Sequence, residues 1–392
     1  MDTNLVGSSS GALTVATDKF NCLYGGASAW GTAATTQNVM PVAGTLKNFY
    51  VKIDTTNPSG KTFAIYKNGV DTAITLTIPN GSTTGNDLSH TVSFVAGDTI
   101  SVHATGGDGV TSTGIVRWAI TATCAANVSM ILGGSNAATG TTLPVYMSVS
   151  GESLNTAAGS NVEQVIPTNG TISNAYVQLN TAIGAGTNYT FTLVVNGVDS
   201  ALAFTMNTAV ATANDTTHSV SVSAGDRVYW RISTTAVPAT KTVFISTQFS
   251  PTINGESIHM YGASRAQPTG TTIKYNSLMP VGLTFNATEA PAEVLTQAAV
   301  WKKLYIYEQT SIATGSLKYQ PQVNGSAAGP SVTISSGQTG NDTSNTVTTS
   351  GGDTVSMGVT PTSPTVSLVE WGIVSYIAPP ASVNSNFLAF MT

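Results

Sequence analysis

Thr190-Phe191-Thr192-Leu193-Val194-Val195-Asn196-Gly197-Val198-Asp199 is the stretch on which the fold turns. Phe191, Leu193 and Val195 share one face and Thr190, Thr192 and Val194 the other, the period of two of a strand buried on one side. The run ends at Asn-Gly, where both central residues of a type I′ turn take positive φ at little cost. Ala201-Leu202-Ala203-Phe204-Thr205-Met206 follows as the returning strand, so the stretch is a hairpin. The arrangement occurs twice more, with Thr62-Phe63-Ala64-Ile65-Tyr66 before Asn68-Gly69 and Leu317-Lys318-Tyr319 before Asn324-Gly325. The three Asn-Gly turns are spaced 128 residues apart. Asn86-Asp87, Asn214-Asp215 and Asn341-Asp342 recur at 128 and then 127, as do Gly97-Asp98, Gly225-Asp226 and Gly352-Asp353.

A period of this length is the size at which a domain buries its own core, and far exceeds a solenoid or propeller unit. The sequence therefore predicts an internal triplication into three independent domains, 1–126, 127–256 and 257–392. In each, a polar loop with the Asn-Asp pair leads to a strand, the Gly-Asp turn and another strand. The closing strand is Val116-Arg117-Trp118-Ala119-Ile120 in the first and Val369-Glu370-Trp371-Gly372-Ile373 in the third, with Phe244 read in the Trp slot of the second. Large aromatics there are expected to anchor the core. Only Ala290 to Ala299 reads as a short helix. Eight to ten short strands per unit, punctuated by turns, make the chain all-β: three tandem antiparallel β-sandwich domains of jelly-roll-like form.

Only 8% of residues are charged while 41% are apolar, so the chain is expected to fold with a neutral, hydroxyl-rich surface. Net charge is −5, and of 14 Lys+Arg only Lys302-Lys303 are adjacent; nucleic acid is not an expected partner. The absence of a run of about 18 apolar residues predicts no membrane span. Met1-Asp2-Thr3-Asn4 lacks the basic and apolar regions of a secretory signal, which predicts that one was removed or that the protein is assembled inside the producing cell. Cys22 and Cys124 both fall in the first repeat, as either a bridge between adjacent first and last strands or two buried thiols.

The residues that carry chemistry are few. His90 and His218 are equivalent by period, but Asn345 takes their place in the third repeat, which points to a structural position; His103 and His259 have no counterparts. The acidic pairs Asp87 with Asp98, Asp215 with Asp226, and Asp342 with Asp353 are 11 residues apart each time. Clustered carboxylates suit Ca²⁺, whereas Asn and Asp also cap turns with their own side chains. No Glu keeps its identity across the repeats, as a glycosidase pair built from the repeat would. No catalytic set and no cofactor are expected. Trp30, Trp230 and Trp301 would serve sugar stacking if exposed. The apolar tail, with Phe387, Leu388 and Phe390, is a candidate assembly contact or an added strand of its own domain.

The hairpin, polar loop and Gly-Asp turn resemble the jelly-roll domains of the tumour necrosis factor and complement globular-head superfamily. Gly170-Thr171-Ile172-Ser173-Asn174-Ala175-Tyr176-Val177, Val195-Asn196-Gly197-Val198-Asp199 and Ala224-Gly225-Asp226 resemble Thr/Ser-rich domains of phage and bacterial surface proteins. The resemblance implies a non-enzymatic virion protein, assembled in the host cytoplasm and displayed outside a tailed-phage particle as capsid decoration, head fibre or tail component. Other virion proteins, and a host-surface glycan, would be its partners. The alternative is an extracellular adhesin or carbohydrate-binding module. Superfamily relatives associate as trimers. A first inter-repeat connection of about three residues, spanning roughly 10–14 Å, is short for stepping around a threefold axis. A homotrimer is accordingly expected over a single-chain pseudo-trimer.

Overall fold

The computed structural model describes residues 1–379 apart from 10, 14–16, 26–29, 57–59, 106–113, 136–138, 140–143, 153, 156–157, 185–186, 208, 235–239, 263–267, 280–284 and 366. The chain is all-β, built of six sheets that are antiparallel except where Ser129–Gly134 runs parallel to Gly151–Glu152. The helical candidate at Ala290 is one 3-10 turn, Ala290–Ala292, followed by extended chain. Two further 3-10 turns, Ala33–Thr35 and Gly159–Asn161, occupy corresponding places.

Three sheets share one strand order. An opening strand pairs with a closing strand, and that with a long strand. Asp2–Ser8, Val116–Cys124 and Gly44–Ile53 form the first such set. Ser129–Gly134, Val243–Pro251 and Gly170–Leu179 form the second. Glu256–Tyr261, Val369–Tyr376 and Ala299–Ile312 form the third, so Glu256 opens the third set. Each long strand carries a bulge where pairing skips a residue. The skipped residues are Asn48, Asn174 and Lys303, with φ of 55°, 49° and 55°; Asn is the usual side chain for that conformation and Lys is not. The other three sheets hold the predicted hairpins. Their Asn-Gly turns have the positive φ pairs of type I′, for example 52° and 77° at Asn196-Gly197.

Each opening-strand sheet faces a hairpin sheet across apolar side chains, a β-sandwich-like layering. The apolar core does not divide where the repeat boundaries fall. One cluster runs from Phe49, Phe63 and Trp118 through Trp301, Tyr319 and Trp371. A second holds Phe191 and Trp230 together with Ile258, Met260 and Val374 of the third set. The expectation of three independent cores is corrected in this respect: buried faces continue between neighbours.

The continuity has a definite route. A short front strand precedes each long strand: Asn38–Val39, Gln164–Val165 and Val294–Leu295. The first front strand packs on the opening, closing and long strands of the second set; the second does so on the third set, and the third on the first. The opening strands also touch one another pairwise. Thr3 and Ser129, both buried, bring their hydroxyl oxygens to 3.3 Å.

Candidate functional site

The recurrent polar residues lie at turns. Asn68 Nδ2 donates to Asp98 Oδ1 at 2.6 Å, while Asn68 Oδ1 accepts from Thr99 N at 2.8 Å. Asp98 Oδ2 accepts from Val95 N. Asn196 with Asp226, and Asn324 with Asp353, repeat this lock between the hairpin turn and the Gly-Asp turn. Spacings of 30, 30 and 29 residues are thus one structural motif.

Asp87, Asp215 and Asp342 do a separate job. Asp342 Oδ1 accepts from Ser344 N, Asn345 N and Ser344 Oγ, and Oδ2 accepts from Ser331 N and Asn345 Nδ2. His90 and His218 fill the Asn345 position, each placing Nδ1 2.9 Å from its Asp. Burial pushes these carboxyls up, but the donated N–H bonds outweigh it and hold all three below the usual range. The two members of each acidic pair serve different turns, and their lone pairs are engaged by protein donors. Among the described residues no three His, Cys, Asp or Glu side chains converge as a metal ion requires. Asp342→Asn should lower the unfolding free energy at pH 7, measured by denaturant titration, by about 1–3 kcal/mol, because an amide nitrogen would face part-buried donors. The folded carboxyl is depressed, so its contribution is present above the ordinary 3.8 and fades as pH falls, and the mutant should converge on wild type below that.

Cys22 and Cys124 are both buried and form no disulfide bridge. The first and last strands do pair, but Cys22 lies on Lys19–Cys22 of the opposite sheet, against Val39 and Phe244. Phe244 is the second correction. Strand pairing puts Trp118 opposite Val51, Trp371 opposite Ile306 and Ile245 opposite Val177. Ile245 therefore holds the core position and Phe244, one residue away, faces outward; a one-residue slip exchanges the faces of a strand. Its counterparts are Arg117 and Glu370, and these three residues mark the seams between neighbouring sets.

Each seam has its own chemistry. Phe244 packs with Cys22 and Val39. Arg117, fully buried, donates to the carbonyls of Ala290 and Glu293 and pairs with Asp54. Glu370 is also fully buried; it accepts from Gln309 Nε2 at 3.0 Å, opposite Tyr307, over which Arg227 stacks at 4.3 Å. Arg227 Nη1 reaches Glu163 Oε2 at 3.1 Å. Burial drives Glu370 up to about 8, against the Gln309 hydrogen bond. Nearer the centre, Tyr24 Oη lies 3.3 Å from His259 Nδ1 and accepts from Ser150 Oγ, while His259 Nε2 meets Ser375 Oγ at 2.7 Å. Residues from all three repeats meet here, and burial holds His259 down to about 3. Gln164 joins it by donating to the carbonyls of Ser150 and Met260.

Trp230 and Trp301 are fully buried and cannot stack on a sugar; Trp30 is half-buried against Trp118 and Phe63. His103 stacks on Phe20 and pairs with Asp71. Phe387, Leu388 and Phe390 lie outside the described residues. No helix among the described residues is long and apolar enough to cross a membrane. Sequence reasoning missed the seams, whose residues do not repeat; Lys302-Lys303 was the one visible signal. No family model matches this chain, and no curated protein matches it.

Proposed function

We propose that the chain is a β-sandwich module of jelly-roll-like form present in triplicate, its three copies closed into a pseudo-threefold block. The block acts as a non-enzymatic structural protein on the outside of a tailed-phage particle, as capsid decoration, head fibre or tail-associated part. The carrying observation is the cyclic order of the front strands, first on second, second on third and third on first. A heterologous contact repeated around a closed rotation is the geometry of a ring. Here one chain supplies all three contacts. The short first connection fits this reading because neighbouring opening strands adjoin at the centre, so the linker has little distance to cover.

A closed ring leaves no vacant front-strand seat for another copy. The working unit is then one chain of 40.1 kDa, replacing the homotrimer expected from the resemblance. Light scattering coupled to size exclusion should return that mass; a value about three times larger would favour the homotrimer. The virion assignment rests further on the neutral, Thr- and Ser-rich exterior strands such as Gly337–Thr349 and on the phage-domain resemblance. Mass spectrometry of purified particles should find the chain in stoichiometric amount, and antibodies should label the particle exterior. Its absence from particles would overturn the assignment.

A further inference from the structure

We infer that Asn80 is a site of spontaneous deamidation, and that the carboxylate locks hold Asn68, Asn196 and Asn324 closed to the same reaction. This modification site stands whether or not the chain belongs to a particle. The chain contains six Asn-Gly steps, at Asn68, Asn80, Asn169, Asn196, Asn254 and Asn324. Glycine after asparagine leaves its backbone nitrogen unscreened by a Cβ. That nitrogen can attack the Asn Cγ and close a five-membered succinimide. The C–N bond to the side-chain amine breaks, and the amine leaves as ammonia with the proton from the glycine N–H. Water then opens the ring at either carbonyl, giving aspartate or isoaspartate, and is the only co-reactant. The reaction requires Cγ to reach the glycine nitrogen, and a misplacement of about 1 Å can slow such a step about 10²-fold.

Five of the six steps are restrained. Asn68 Nδ2 donates to Asp98 Oδ1 at 2.6 Å while its Oδ1 accepts from Thr99 N at 2.8 Å. Asn196 is held the same way by Asp226 and Arg227 N, at 2.8 and 2.9 Å, and Asn324 by Asp353 and Thr354 N, both at 2.9 Å. Both ends of each carboxamide are tied to the Gly-Asp turn, so Cγ can swing onto the glycine nitrogen only after both bonds break. Asn169 Oδ1 accepts from Ala224 N at 2.9 Å, and Gly170 is paired within its sheet. Asn254 Oδ1 accepts from Asn127 N at 3.0 Å, and Gly255 N donates to Met1 Sδ at 3.4 Å.

Asn80 has no such restraint. Pro79-Asn80-Gly81-Ser82 is a type II turn, closed by Ser82 N donating to Pro79 O at 3.1 Å, with Gly81 at φ 78°. Asn80 and Gly81 are exposed, and a Cβ on Gly81 would meet nothing within 4 Å. Among the described residues no hydrogen bond engages the Asn80 carboxamide or the Gly81 N–H. Val70–Ile78 carries the chain away from Asn68-Gly69, which places Asn80 at the other end of the hairpin sheet. The corresponding loops read Asn207-Thr208-Ala209 and Ser335-Ser336-Gly337, so the site is confined to the first repeat. Conversion adds one carboxylate to a sparsely charged chain, taking its formal charge from −5 to −6. Isoaspartate also lengthens the turn by one backbone atom.

The full chain is aged at pH 8 and followed by peptide mapping with mass spectrometry. Asn80 should convert to mixed isoaspartate and aspartate at least about tenfold faster than Asn68, Asn196 or Asn324. In denaturant, where the locks are gone, the rates should converge. Asp98→Ala, checked for normal melting, should speed Asn68 about tenfold and leave Asn196 and Asn324 as unchanged controls in the same molecule. Native rates at Asn80 no faster than at the locked sites would overturn the assignment. So would a ranking that persists in denaturant, or an Asn68 that stays slow in folded Asp98→Ala. The native ranking needs no variant, so it decides the matter even if Asp98→Ala does not fold.

Discussion

Replacing Glu308 with glutamine should raise the melting temperature at pH 8 and leave it almost unchanged at pH 4. Glu308 is fully buried and points into the core, where Tyr319 Oη donates to its Oε1. Burial lifts its carboxyl from 4.5 to about 8, against the hydrogen bonds from Tyr319 and Ser367. Below pH 4.5 the folded and unfolded chains both hold the proton. Between 4.5 and about 8 the unfolded chain releases it and the folded chain keeps it, so stability falls by about 1.4 kcal/mol per pH unit. Glutamine can accept from Tyr319 without that linkage. The gain should therefore grow with pH and reach roughly 5–10 °C by pH 8. His259 works in the opposite sense, because the folded chain resists a proton that the unfolded chain accepts below 6.5. Melting curves of wild type and Glu308→Gln from pH 4 to 8 check the idea, and a constant offset at every pH would sink it.

Gly372→Ala should be among the most damaging single changes in the molecule. A Cβ there would stand 2.1 Å from the carbonyl oxygen of Val165 and 3.0 Å from Pro167 Cδ. Val165 belongs to the front strand of the second set and Pro167 follows just after it, and backbone oxygen cannot rotate away as a side chain can. Gly262 meets the start of the same segment, its Cβ position lying 2.1 Å from Glu163 O and 2.8 Å from Gln164 Cγ. Overpacking a core costs about 1–3 kcal/mol, and a backbone clash is expected to reach the upper end or beyond. The melting temperature should drop by roughly 3–6 °C or more. Ala119 and Ser246, the residues at the corresponding closing-strand positions, carry side chains, so the requirement is local to this seam. Should Gly372→Ala melt within about 2 °C of wild type, the close seating of the front strand would be wrong.

The repeated features were legible because each answers to local physics. Alternating Thr and apolar residues select strands, Asn-Gly selects the type I′ turn, and Asp caps the loop in which it sits. Such residues recur because the same backbone recurs. Phe244 was misplaced because aromatic identity was weighed above strand parity, and the apolar run Val243-Phe244-Ile245 carries no alternation to fix which face points inward. The charged residues of the seams were invisible for another reason. Arg117, Phe244 and Glu370 are equivalent in position and unlike in kind, so comparing repeats conceals them.

Local pattern alone determined an all-β chain with three recurring hairpins, each locked by an Asn and an Asp about thirty residues apart. How neighbouring sets meet was decided only in three dimensions. A front strand of two residues, a glycine that admits a carbonyl, and buried Glu370 or Arg117 facing another repeat depend on atoms more than a hundred positions away in sequence. Hydrophobic periodicity reports which side of a strand is buried. It holds no information about whether the burying surface belongs to the same repeat or the next.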